Sequence, residues 1–358
     1  MKEAIDRRAL PERGKYQELK VCADGSERAH QPFSGWSELW IFTGTRCNLT
    51  CAGCYTESSP KNDSFRFLTR EQAEKILLEA RDLGIPRINF TGGEPFYNPE
   101  FPAILERTLA LGFECLVLTN LTRPFESKGR DLAHQRIRAG YPLYFRASLD
   151  HPDPIIHEQG ELGPAKIRDY PVAGSPPQGR KFWFFSGFNR GPGSFRKTVR
   201  NLGELFHMGG RISVAGRGPQ GVGGDLFQAY LAETEPKFRE LFRENRLPAD
   251  LPLKIFPDIG GRSERDVPEI TQHRCRTLIS PGTFDGLMCN QVRMVAVPAV
   301  WNGRENHTPR VYPCTIVPDN PAMVLGTSLQ EAAERETYLA DPRCYRFCIA
   351  GGASCSKD

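Results

Sequence analysis

Between residues 37 and 217 short apolar runs alternate with stretches of helical spacing, and no other feature restricts the possible folds so tightly. Residues 39–42, 87–90, 114–118, 141–149 and 211–215 read as strands. Between them, residues 69–83 place Ala73, Ile76, Leu77 and Ala80 close to a helical period and stop at Gly84. Residues 102–110 open on Pro102, which a first helical turn tolerates, and residues 195–206 repeat the helical pattern. Strands linked through helices pair in parallel, and right-handed crossovers curl such units into a barrel or part of one. The carboxyl ends of the strands then form the active face. Residues 157–190 interrupt the alternation with Gly, Pro and charge around Phe182, Trp183, Phe184 and Phe185; they read as a long loop or lid over that face.

The chain has 358 residues, which at roughly 100–200 per domain allows two or three domains, or one large barrel with an appendage. Its 47 Lys and Arg stand against 43 Asp and Glu; the net +4, with no local basic cluster, gives no reason to expect a nucleic-acid or membrane partner. Charge interrupts residues 1–10 too often for a signal peptide. The apolar run 294–301 is far shorter than the roughly 18 residues of a membrane span. A soluble, cytoplasmic protein is the expectation. Residues 1–36 are polar without a sustained period and read as an N-terminal extension, on the surface or mobile.

In a reducing compartment clustered cysteines are metal ligands or catalytic groups more often than crosslinks, so the 11 cysteines ask for an account. Cys47, Cys51 and Cys54 have the spacing Cys-x3-Cys-x2-Cys in the loop after the first strand. Three thiolates from one loop suit three corners of an iron–sulfur cube and leave the fourth iron open to a small chelator. The competing reading, a structural zinc site, needs a fourth ligand, and no His or Cys lies nearby in the sequence to supply it. The second strand runs into Thr91-Gly92-Gly93-Glu94-Pro95, where two glycines let a ligand approach the backbone and an acid is available to an amino group. Alone, that stretch is a turn.

Paired with the cysteine triplet and the aromatic Tyr55 that follows it, the Gly-Gly-Glu-Pro stretch resembles the radical S-adenosylmethionine (radical SAM) superfamily over about residues 39–217. The resemblance implies a partial (βα)6 TIM-like barrel of the α/β class, and a 4Fe-4S cluster on Cys47, Cys51 and Cys54 whose unique iron chelates S-adenosylmethionine. Gly92, Gly93 and Glu94 would hold its methionyl amino group, with Tyr55 near the adenine. By their places at strand ends, Asn120, Ser148 and Asp150 would contact the ribose or sulfonium, and Arg217 would pair with the methionyl carboxylate. Each of these has a plainer reading: a capped loop for Asn120, a backbone bond for Ser148, a solvated charge for Arg217. His151, beside Asp150, is a candidate acid or base, although an isolated His is more often a satisfied polar residue. Arg190-Gly191-Pro192-Gly193-Ser194-Phe195 resembles an element of peptide-modifying radical enzymes, although a glycine-rich helix start suits any anion. Reduction would come from an external donor such as flavodoxin or ferredoxin.

Six further cysteines, Cys275, Cys289, Cys314, Cys344, Cys348 and Cys355, sit in the last quarter of the chain. Pro313-Cys314, Leu325-Gly326 and then closely spaced cysteines around Gly351-Gly352 resemble the SPASM or shorter twitch extension, a small cysteine-rich C-terminal unit carrying auxiliary 4Fe-4S clusters. The spacings Cys-x3-Cys and Cys-x6-Cys depart from that extension's usual pattern. Six thiols fall short of two fully ligated cubes, so one auxiliary 4Fe-4S cluster, or two with an open site, fits the arithmetic; one is the expectation, on Cys314, Cys348, Cys355 and one of Cys289, Cys344 or Cys275. A structural zinc site stays open. The expected organisation is an extension at 1–36, the barrel at 37–255 and the auxiliary unit at 256–358. A radical enzyme modifying a peptide is the leading reading; a small metabolite or cofactor precursor as substrate, and a non-catalytic iron–sulfur or zinc protein on the same fold, are the rivals. Cys22 and Cys115 read as structural, the second as core.

Overall fold

Each strand read from the sequence forms, and each is hydrogen-bonded to its neighbours in parallel. The structure, a computed structural model, describes residues 15–51, 54–159, 190–220, 224–258, 267–272 and 287–350. In chain order the elements are β1 (Glu38–Phe42), α1 (Arg70–Asp82), β2 (Arg87–Thr91), α2 (Phe101–Ala110), β3 (Glu114–Thr119), α3 (Arg130–Arg138), β4 (Leu143–Ser148), α4 (Pro154–Gln159), α5 (Ser194–His207), β5 (Arg211–Gln220), α6 (Gly224–Glu244), β6 (Leu253–Asp258), α7 (Met288–Gln291), β7 (Val292–Ala296) and β8 (Arg310–Tyr312). The sheet order is β8-β7-β1-β2-β3-β4-β5-β6, with only β8 antiparallel. Six βα-type strands in sequence order make the partial TIM-like fold, and among the described residues the sheet is open.

The period of two along each strand divides the interior. Ile41, Phe90, Val117, Phe145 and Ile212 stand side by side across five strands and face the helices. They join Ile76 and Leu77 of α1, Ile104 and Leu105 of α2 and Val199 and Leu202 of α5 in one core. Burial of such side chains contributes about 1.5–3 kcal/mol each. The alternate residues Trp40, Phe42 and Leu116 face the opposite side, where they meet residues of the C-terminal region. Local signals set the helix limits. Thr69 and Gln72 form a reciprocal capping box at the start of α1, and Gly84, at φ +69°, turns the chain away after its end.

α3, α6, β6 and β7 were not legible. α3 is largely charged and fully buries only Leu132 and Ala133, and α6 carries Pro236 in its interior. β7 pairs directly with β1, so the C-terminal region adds strands to the same sheet, and β6 runs across residue 255. The N-terminal segment differs from the expected surface or mobile extension over its described part. Cys22, Arg28 and Ala29 are buried, Ala29 N donates to Ile270 O at 2.7 Å, and Leu339 N donates to Ala29 O at 2.8 Å. Arg28 is ion-paired to Glu269 at 2.7 Å. This segment is held by partners some 240–310 residues away, so it shows no local period. Among the described residues no helix is long and apolar enough to cross a membrane. Residues 160–189 of the expected lid, with its aromatic patch, lie outside the described residues, as do Cys275 and Cys355.

Candidate active site

The loop after β1 and the loop after β2 are joined backbone to backbone. Thr43 N donates to Thr91 O at 2.8 Å, Gly93 N to Gly44 O at 2.9 Å and Glu94 N to Arg46 O at 3.3 Å. A Cβ on Gly93 would lie 2.4 Å from Arg46 O and 2.6 Å from Thr45 O; one on Gly92, at φ +141°, would lie 2.7 Å from Gly44 O. The glycines are therefore needed for the approach of the cysteine loop itself, a different reason from the ligand approach inferred from the sequence. Gly93→Ala is expected to cost about 1–3 kcal/mol or more, because the neighbours that must yield are backbone carbonyls, and to displace the cysteine loop. Urea unfolding and the iron retained after anaerobic reconstitution measure the two effects. Gly203, in α5 with open space beside it, is the control: alanine there is expected to stabilise by roughly 0.5–1 kcal/mol.

At the carboxyl ends of the strands Cys47, Cys51 and Cys54 line one cavity of about 570 Å³ that extends back to Glu38 and Arg87 at the amino ends, and Tyr55, Gly92, Gly93, Asn120, Ser148 and Arg217 line it with them. Cys47 is buried, and its sulfur accepts from Leu49 N at 3.4 Å and from Asn120 Nδ2 at 3.8 Å. Burial, and then the charge of Glu94, push its thiol up to about 12. Burial also raises Cys51, against the pull of Arg190. For Cys54 burial is outweighed by hydrogen bonds from Thr56 and Ser58, and its thiol lies below the ordinary value. Among the described residues no three His, Cys, Asp or Glu side chains converge as they would on a single metal ion. A cube instead spreads its thiolates over separate irons, and the roomy cavity with three thiols on its wall fits that arrangement.

Glu94 and Asp150 stand behind this wall. Glu94 is buried, and its carboxylate accepts from Phe96 N, Thr119 Oγ1 and Asn120 N at 3.2, 2.9 and 2.8 Å. Burial pushes its carboxyl up to about 7, and the three donors act against that shift. Its side chain thus ties the β2 loop to the β3 loop and sets Asn120, which reaches Asn48 at 3.1 Å in turn. Asp150 forms a forked ion pair with Arg190, Nη2 to Oδ1 at 2.9 Å. Arg190 lines the cavity. Its sequence context gives it no role, since its partner is 40 residues away and no spacing rule links them.

His151 and His157 are buried beside this pair. His151 Nδ1 accepts from Asp153 N at 2.9 Å, and neither ring nitrogen of His157 has a hydrogen-bond partner among the described residues. Burial lowers His151 to about 4 and His157 to about 3. Both stay neutral in the fold while the unfolded chain takes up protons near pH 6.5. Their stabilisation is complete above that pH and is lost as pH falls toward the folded values, at up to about 1.4 kcal/mol per unit for each. Urea midpoints between pH 7 and 5 are expected to fall on this account, and His157→Phe to flatten the slope by roughly half.

In the C-terminal region Cys289, Cys314, Cys344 and Cys348 are buried in one apolar cluster that also holds Met288, Tyr312 and Val317. Burial, then Asp341, and then Cys314 and Cys289 raise the Cys344 thiol. Cys289, Cys314 and the pair Cys344 and Cys348 come from three segments and share this buried cluster, a donor set of the type a second iron–sulfur centre uses.

Residues 41–170 match the model of the Radical SAM superfamily. Over 102 residues the chain is 39% identical to the antilisterial bacteriocin subtilosin biosynthesis protein AlbA of Bacillus subtilis, covering 28% of this chain and 21% of that one. Over 146 residues it is 30% identical to a GTP 3',8-cyclase of Tolumonas auensis, covering 40% and 39%. The chain spans less than half the length of the curated relatives it matches. Among solved structures, Streptococcus suis SuiB bound to S-adenosylmethionine aligns at 12% identity and a TM-score of 0.49, over 90% of this chain and 68% of that one.

Proposed function

The chain carries a radical SAM domain over residues 41–170, and from that premise we propose that the protein is an enzyme that cleaves S-adenosylmethionine reductively and takes a hydrogen atom from a peptide substrate. The observation that carries this reading is the meeting of three thiols from one loop with the Gly92-Gly93 backbone on a single cavity wall. Cys47, Cys51 and Cys54 would hold a 4Fe-4S cluster with one coordination position left for S-adenosylmethionine. The chemistry such a group supplies is one-electron cleavage of a carbon–sulfur bond to give a 5'-deoxyadenosyl radical.

The chain's own residues bind and orient. The Gly92-Gly93 backbone, fixed by Glu94, would face the methionyl amino group, and the guanidinium of Arg217 would face the carboxylate. Ser148 and Asn120 would meet the ribose, and the exposed ring of Tyr55 would cover the adenine. Asp150 would act through Arg190 and not by touching the ligand. A flavodoxin- or ferredoxin-like donor would deliver the electron. Cys289, Cys314, Cys344 and Cys348 would hold the auxiliary 4Fe-4S cluster, with Cys355 and Cys275 as further candidates.

The stretch shared with the subtilosin biosynthesis protein supports a peptide substrate. The comparable match to GTP 3',8-cyclases favours a second reading, a small-molecule substrate. The deciding experiment is anaerobic reconstitution, iron and sulfide analysis, and chromatography of 5'-deoxyadenosine after reduction. About eight irons per chain with nucleoside release is expected. Iron-replete protein that releases no nucleoside sinks the activity. Release stimulated by a short peptide encoded beside the gene, but not by GTP, selects the peptide; the reverse selects the small molecule.

A further inference from the structure

Arg293 of β7 is a fully buried guanidinium whose hydrogen bonds all end on neutral groups. Nε donates to Ala332 O at 3.1 Å, Nη1 to Cys289 O at 2.6 Å and Val292 O at 2.9 Å, and Nη2 to Arg335 O at 3.0 Å. Its plane lies over the Phe33 ring at 4.1 Å. Among the described residues every hydrogen bond of this guanidinium goes to a backbone carbonyl and none to a carboxylate, and the thiols of Cys289 and Cys314 lie near enough to act on it electrostatically. An arginine guanidinium is not deprotonated in proteins, so at neutral pH it remains a cation.

A buried charge without a counter-charge is costly, and carbonyl dipoles solvate it without neutralising it. Protonated thiols contribute nothing to that balance; thiolates on an iron–sulfur cluster carry the missing negative charge. We infer that Arg293 is the built-in counter-charge of the C-terminal cysteine centre, a positioning residue that favours the ligated thiolates and the reduced state of the cluster they hold. The inference rests on the auxiliary cluster proposed above. The reduction concerned is the addition of one electron to the cluster from a chemical reductant. No proton moves and no bond breaks, and Arg293 stays protonated throughout. Because the extra negative charge develops near a fixed cation in a dry interior, the cation raises the reduction potential.

The test is a redox titration followed by electron paramagnetic resonance on the full chain carrying Cys47→Ala, Cys51→Ala and Cys54→Ala, so that only the C-terminal centre gives a signal. In that background Arg293→Gln is expected to lower the ratio of reduced to oxidised cluster at fixed potential about tenfold, which is a shift of about 59 mV for one electron. Arg293→Lys keeps the charge but loses most of the fork, and is expected to stay within about twofold of the parent. A merely structural role predicts that Lys and Gln disturb the centre alike; that result, or an unchanged potential in the Gln variant, overturns the inference. If the Gln variant is insoluble, the Lys variant decides alone, since a potential far from the parent's overturns it. Absence of any iron in this background also overturns it, while 5'-deoxyadenosine release by the unmodified protein reports separately on the first centre.

Discussion

Cys51→Ala is expected to eliminate 5'-deoxyadenosine release, a loss of at least about a thousandfold, while the chain stays folded. Cys51 is partly exposed on the cavity wall, so its removal leaves no large void and no unpaired buried group, and the expected change in stability is below about 1 kcal/mol. The chemical consequence is much larger, because a cube that has already given up one protein ligand to an open position cannot readily lose another. The measurement is iron content and nucleoside release side by side with far-ultraviolet circular dichroism. A Cys51→Ala protein that keeps full iron and activity would remove this cysteine from the ligand set.

Asp150→Ala is the change with the largest expected effect on stability. The carboxylate is 2% exposed, and its partner Arg190 is 12% exposed in its side chain, so removing the acid leaves a guanidinium in a largely dry site. Loss of one partner of a buried pair costs about 3–5 kcal/mol, which for a chain of this size corresponds to a fall in Tm of roughly 4–7 °C. Asp150→Ala combined with Arg190→Met is expected to recover part of the loss, because it removes the stranded charge as well. Burial raises the Asp150 carboxyl, but Arg190 outweighs it and holds the group below the usual carboxylate range. Its stabilisation is therefore complete above about pH 4 and lost as pH falls through the folded value. The acid limb of Asp150→Ala should lose that component, and equal thermal midpoints for parent and variant at pH 7 would contradict the account. Arg190 also forms part of the cavity wall, so the same variant is expected to bind S-adenosylmethionine more weakly, readable by equilibrium dialysis.

These two sites differ in how readable they were. Cys47, Cys51 and Cys54 fall within eight residues of one loop, so spacing alone suggested a common ligand. Glu94 was visible as part of a motif, but its hydrogen bonds to Thr119 and Asn120 depend on β2 lying beside β3. Arg190 and Asp150 meet across a separation of 40 residues, and Arg293 reaches Ala332 and Arg335 from a strand that local pattern does not reveal. No local pattern encodes such pairs.

The amino-acid sequence by itself determined the alternation of strands and helices, the helix limits at Thr69 and Gly84, and the chemistry of the first cysteine loop. These are properties of neighbours along the chain: period, capping and ligand spacing are all set within a few residues. The tertiary structure alone decided that residues 15–31 are anchored and that β7 extends the barrel sheet into the C-terminal region. It also decided why Gly92 and Gly93 are glycines, and which buried charges face one another. Those outcomes depend on contacts between segments tens to hundreds of residues apart, where desolvation makes each charge and each added methyl group count, and a linear pattern carries no record of either.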